Sequence, residues 1–281
     1  MTIPTLLDKL PWRRRLAGAG AQPLKAPEIL RPLRYPYGSF HFESELSKQT
    51  RYEVQATANL KTWETVFSGT GNGPIEFMDQ QAPKFSYRFY RLHAEGIFSR
   101  NAVGYVTLTL PPGFSLIANP LEAAESTVAT VFKGMPDGTG LSKFNAEFYR
   151  LKENNVEHGK WGKPTEKLGP GEGAIFFNPT LDYKTVNFVG DLISKGFSIP
   201  IPAGFSVRSS PVPQPGQLDT DLGFPVNEGD EVHLFDRDRQ AYVVHRYESG
   251  GWLPSAPVVG VGEAFWIAKT EPRNWVRNVL I

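Results

Sequence analysis

The sequence predicts an all-β protein of several modules, and three observations carry that prediction. Glycine (27) and proline (24) approach a fifth of the 281 residues without a collagen-like period, while aromatic residues reach 12%. Gly and Pro set turn dihedrals, and aromatics suit a pleated, half-buried surface. Alternating apolar and polar residues recur in runs too short for helices, and the last part of the chain repeats itself.

At 40% hydrophobic the chain can bury real cores. It has no cysteine, so disulfides and thiolate metal sites are excluded. Its apolar runs span only a few residues, which predicts no membrane-spanning helix.

Residues 1–38 read as an extended basic arm. Seven Lys and Arg against Asp8 and Glu28 make it +5, which leaves −4 for the remainder of a chain whose net charge is +1. Six prolines disfavour continuous helix or a central strand here. The order of features is the inverse of an export signal: Leu6, Leu7 and Leu10 come first, and Arg13-Arg14-Arg15 follows.

The arm carries more apolar residues than a solvated tail would. Leu6, Leu10 and Trp12, with Arg13, Arg14, Arg15, Arg31 and Arg34, are therefore the candidate partner-binding residues. They would dock either on the chain's own modules or, the reading preferred here, on a neighbouring subunit. A short basic run without interleaved aromatics argues against a nucleic-acid interface.

Residues 39–110 read as a meander of strands. Tyr52, Val54 and Ala56 share one face, and similar alternation recurs over 62–67 and 86–92, with a Gly-rich turn at 69–74. YEVQATANLKTW and FSYRFYRLHA resemble an immunoglobulin-like or fibronectin type III-like sandwich of the kind found in bacterial extracellular and phage structural proteins.

Shifted by 91 residues, 111–190 aligns with 202–281 without a gap, giving fourteen identities over eighty positions. Chance would give about five. Gly113-Phe114-Ser115 falls on Gly204-Phe205-Ser206, Gly159 and Trp161 on Gly250 and Trp252, Gly171-Glu172 on Gly262-Glu263, and Asn187 on Asn278. Two duplicated β-sandwich or small-barrel modules, 111–201 and 202–281, are expected. PPGFSLIANPL, HGKWGKPTEKLGPGEGAIFFNP and GEAFWIAKT resemble modules at the ends of uncharacterised proteins from Verrucomicrobia-type and Planctomycetes-type bacteria. That resemblance implies a β-rich, non-catalytic architecture.

Glu172 and Glu263 recur in both copies, which fits turn anchors better than an acid/base pair. His233 and His245 fall on successive strands and could meet as a cross-strand pair, but none of the five histidines has helical metal-motif spacing. Asp236 and Asp238, like Asp219 and Asp221, lack the Gly and distal Glu of a known calcium loop. Ser115 and Ser206 lack the second glycine of a nucleophile elbow.

No enzyme activity, cofactor or metal is expected. Trp161 and Trp252 remain as candidates for stacking on glycan or for packing, and their exposure decides between the two. The expectation is a non-catalytic subunit of a larger assembly, at a virion or phage-like particle surface, partnered by subunits of that assembly. The alternative is a cell-surface or secreted carbohydrate-binding or adhesive protein.

Overall fold

The computed structural model describes residues 25–123 and 125–279. The protein is all-β, with one helical turn (Val128–Val131) and one 3-10 turn (Ala82–Lys84) among those residues. The strands before the repeats are β1 (Ile29–Arg34), β2 (Phe40–Glu45), β3 (Thr50–Thr57), β4 (Glu64–Gly71), β5 (Pro74–Asp79), β6 (Tyr87–Ala94), β7 (Ile97–Phe98) and β8 (Val103–Leu110). The first copy contains β9 (Gly113–Ile117), β10 (Gly140–Asn145), β11 (Arg150–Glu157), β12 (Lys160–Trp161), β13 (Ala174–Asn178) and β14 (Lys184–Asp191). After β15 (Phe197–Ile201), the second copy contains β16 (Gly204–Ser209), β17 (Gly216–Gln217), β18 (Glu231–Asp236), β19 (Ala241–Glu248), β20 (Gly251–Leu253), β21 (Val258–Val259), β22 (Ala264–Lys269) and β23 (Arg273–Arg277).

The arm ends earlier than its prolines suggest. Ile29–Arg34 pairs antiparallel with β2, in a three-stranded sheet ordered β1-β2-β5, so the chain is already in the fold ten residues before 39. Proline is tolerated because β1 lies at an edge and Pro32 sits where the register shifts, between Leu30 and Leu33. Arg31, at φ 49, takes the left-handed conformation at this irregularity.

The larger sheet runs β14-β8-β6-β3-β4, with β7 beside β6. One of its faces packs against the β1-β2-β5 sheet, and Phe40, Phe42, Val54, Tyr90, Leu92, Val103 and Tyr105 form that core. Its other face, through Phe89, Val106, Leu108, Leu110, Val186 and Phe188, belongs to the core of the first copy. Successive residues of a strand point to opposite faces, so Val103 and Tyr105 serve one core and Val106, Leu108 and Leu110 the other. This is why VGYVTLTL is buried along most of its length.

The expected boundaries at 110/111 and 201/202 therefore cut off the first strand of each repeat. Strand β8 pairs with β14 and β15 pairs with β23, each closing one copy from just outside the aligned segment. Four strand pairings keep the 91-residue offset, as in Gly140↔Asn155 against Glu231↔Arg246 and Asn178↔Gly113 against Lys269↔Gly204. The last does not. Five residues join β13 to β14 but only three join β22 to β23, so the register slips by two and Asn187 and Asn278 are not equivalent.

The two copies pack face to face about a pseudo-two-fold relation. Ile117 bridges to Glu263 and Glu172 to Arg208, and each bridge is the other displaced by 91. The Ala118 N–H donates to the Gly262 carbonyl at 2.9 Å, and the Ser209 N–H to the Gly171 carbonyl at 3.3 Å. Leu116, Ala118, Phe144 and Ile175 meet Val207, Ala264, Phe235 and Trp266 between the sheets. A self-complementary contact of this kind is what a two-fold dimer forms between separate chains; here both halves lie in one chain.

Candidate interaction surfaces

Of the predicted partner-binding residues, Leu6, Leu10, Trp12, Arg13, Arg14 and Arg15 lie outside the described residues. The structure separates Arg31 from Arg34. The Arg31 side chain is 78% exposed and pairs with Glu43 at 2.9 Å. The Arg34 guanidinium instead lies 3.7 Å above the ring centroid of Tyr105, so its attraction to the ring's π face is spent inside the fold.

Around Arg34 the first core holds a buried polar cluster. Arg88 and the Tyr90 hydroxyl both donate to Asp79, at 2.8 and 2.7 Å, and the Gln81 N–H donates to the same carboxylate at 2.7 Å. The Tyr105 hydroxyl donates to the Ala82 carbonyl at 2.7 Å. Burial pushes the Tyr90 and Tyr105 phenols above their ordinary range, and the neighbouring Asp79 adds to the shift. These groups are sealed within the sandwich and present nothing to a substrate.

The tryptophans also face inward. Trp161 is only 8% exposed and packs edge-on to Phe132, with its indole N–H donating to the Phe132 carbonyl at 3.2 Å. Trp252 is half-buried; it packs at 76° to Tyr247 and donates to an Asp219 carboxylate oxygen at 3.0 Å. A sugar-stacking platform needs an open ring face, and the buried Trp161 has none to offer.

The remaining motif residues have structural partners. Glu172 accepts from the Gly169 N–H and Glu263 from the Gly260 N–H, each at 2.9 Å, closing equivalent turns. Asp236 accepts from the N–H groups of Asp238 and Arg239, and Asp221 from that of Gln217. His233 and His245 do not meet: His245 pairs with Val232 and His233 with Val244, so the two rings point to opposite faces. Among the described residues, no group of three or more His, Asp or Glu side chains is placed to hold a metal ion.

Two surfaces escape sequence reasoning. At the rim of the face that the second copy turns toward the first, Phe205, Trp266, His233 and Tyr242 form a partly open aromatic cluster, joined by Phe144 and Tyr149 of the first copy. The Trp266 indole N–H donates to the Tyr242 hydroxyl at 3.1 Å. Their counterparts at the 91-residue offset are Ile175 and Leu151, and that difference is the signal that could have found the cluster.

The second surface is a groove of about 340 Å³ at the root of the arm, between the start of β1, the end of β2 and the β6–β7 turn. Leu30, Leu46, Ala94 and Ile97 line it, and Glu28, Glu45 and Glu95 stand in its wall. No family model matches this sequence, and no curated protein matches it.

Proposed function

We propose that this chain is a non-catalytic structural subunit of a larger protein assembly, tethered to its neighbour through the N-terminal arm. The observation that carries the reading is the direct continuation of the arm into β1, whose Ile29 is buried and whose Arg34 is stacked on Tyr105. Tension on the arm would be borne by a paired strand and by a sheet shared between two cores. Such a body suits a scaffold better than a hinged enzyme. The buried carboxylates Asp79 and Asp230 are each taken up by internal donors, as parts of the fold rather than of an open site.

The test compares the full chain with a chain starting at Lys25 by light scattering and by co-sedimentation with the particle fraction of the native source. The cut belongs at 24, because removal of residues 25–38 would take away β1. Circular dichroism confirms that the shorter chain keeps its fold. Assembly or co-sedimentation of the full chain alone supports the tether, whereas identical behaviour of the two chains refutes it.

The carbohydrate-binding alternative is supported by the aromatic cluster of the second copy rather than by Trp161 and Trp252. Exposed Tyr242 and half-buried Trp266 supply ring surface, with His233 and the Glu231–Arg246 pair alongside as polar groups. Quenching or enhancement of tryptophan fluorescence by oligosaccharides, abolished by Trp266→Ala, is its test. The absence of any response to a broad glycan panel removes it.

A further inference from the structure

We infer that the groove at the root of the arm receives residues 10–16 of a second copy of this chain, so that the clasp is homotypic. The inference rests on the tether reading above and names its partner.

The groove and the segment match in charge and in apolar content. Glu28, Glu45 and Glu95 are exposed in the groove wall, with Lys25 the only base there. Glu28 reaches Arg100 only at 3.9 Å, with both side chains about half exposed, so it remains open to an incoming cation. Glu95 accepts the Arg51 N–H at 2.9 Å through one carboxylate oxygen and has its other oxygen to offer.

Leu10-Pro11-Trp12-Arg13-Arg14-Arg15-Leu16 supplies three guanidinium groups for three carboxylates. It also brings Leu10, Trp12 and Leu16 to a groove lined by Leu30, Leu46, Ala94 and Ile97. At about 340 Å³ the groove is at the lower end of the size range of ligand pockets, roughly 300–1,000 Å³.

Position argues for exchange between copies. The first described residues, Lys25 to Glu28, are part of the groove wall, so each chain leaves its own body beside its own groove. Two copies meeting root to root therefore place each arm against the other's groove. The contact is made twice across a two-fold axis, and the second occurs at the high effective concentration that the first creates. Only nine residues, 16–24, five of them Ala or Gly, separate Arg15 from Lys25, and the r.m.s. span of a Gly-rich linker of that length is about 15–18 Å.

The experiment uses full-length chains and sedimentation velocity over a range of concentrations. One variant carries Glu28→Lys with Glu45→Lys, and the other Arg13→Glu with Arg14→Glu. The unaltered chain is expected to dimerise, and each variant alone to associate at least about tenfold more weakly, because like charges then face each other.

An equimolar mixture of the two variants is expected to recover the dimer. The lysine groove of one meets the glutamate arm of the other, and the reverse pairing is also matched. This recovery cannot arise within one chain, and it shows at the same time that both variants are folded. If the unaltered chain stays monomeric and the mixture does too, occupation by a second copy is wrong. If dimers form but the groove variant matches the unaltered chain, the groove assignment fails while the tether survives. If the arm variant still co-sediments with particles as the unaltered chain does, the tether reading fails instead.

Discussion

Where the first copy buries a threonine and an asparagine, the second buries an ion pair. Thr139 and Asn178 stand 91 residues before Asp230 and Lys269, and all four are shielded from solvent. Asn178 satisfies its amide with the carbonyls of Pro111 and Asp182 at 3.2 and 2.8 Å. Lys269 instead donates to Asp230, to the Pro225 carbonyl and to Asn227, while Asp230 also accepts the N–H groups of Thr270 and Asn227.

Elsewhere the copies use different residues for the same contact. Asp137 receives the N–H groups of His158 and Gly159, and Glu228 receives those of Ser249 and Gly250, so a carboxylate holds the same hairpin turn in both. The difference teaches that duplication preserved backbone geometry and left the polar groups free to change: the Asp230 carboxylate is fully engaged, whereas the buried Thr139 hydroxyl in its place has no hydrogen-bond partner.

That comparison can be broken most severely at the ion pair. Asp230→Ala leaves a buried ammonium and several N–H donors without their acceptor, and is expected to cost about 3–5 kcal/mol in denaturant unfolding. The double change Asp230→Thr with Lys269→Asn, which copies the first repeat, should recover most of that loss. If it falls as far as the single variant, the two sites are not interchangeable.

The tryptophans come next. Trp161→Ala removes a fully packed ring and is expected to cost about 3–5 kcal/mol, with Trp252→Ala costing roughly half as much because its ring is only half-buried. Equal losses would mean that the two rings carry equal packing.

Gly173 and Ala264 sharpen the pseudo-two-fold relation itself. They occupy equivalent positions, and a Cβ on Gly173 would lie 2.6 Å from the Ala264 Cβ and 2.6 Å from Val207. Gly173→Ala is therefore expected to destabilise by about 1–3 kcal/mol. Adding Ala264→Gly should relieve part of that loss, since one methyl group has room where two do not, and a double-mutant cycle measures the coupling. Strictly additive effects would place the two residues apart.

The smallest effect is expected at the turns. Glu263→Gln weakens the charge-assisted bond from the Gly260 N–H and the attraction to Arg237, whose guanidinium donates to the Leu116 carbonyl at 3.1 Å. A loss of about 1 kcal/mol in thermal unfolding is the expected outcome. No change would show that the turn holds without it.

Much of this architecture was legible because it is local. Gly113 and Gly204, at φ 85 and 81, adopt a backbone conformation that a side chain disfavours, so their recurrence in the sequence marks the same turn twice. Alternation likewise exposed the faces of β3 and β6. The edges of the units were not legible, because β8 and β15 close their copies without resembling each other, and β8 is buried on both sides, which erases its alternation. For the candidate surfaces, the inward turn of Trp161 and the Arg34–Tyr105 stack were hidden by separations of 29 and 71 residues from their partners Phe132 and Tyr105.

By itself the sequence determined the all-β class, the turn positions and the existence of a duplicated unit. Each follows from dihedral preferences and period-two patterning that act over a few residues. Tertiary structure alone decided that one sheet serves two cores, that the copies meet face to face, and which basic residues of the arm's end remain exposed. Those outcomes depend on which apolar faces cover one another across tens of residues, and many strands of similar pattern could have supplied the covering face.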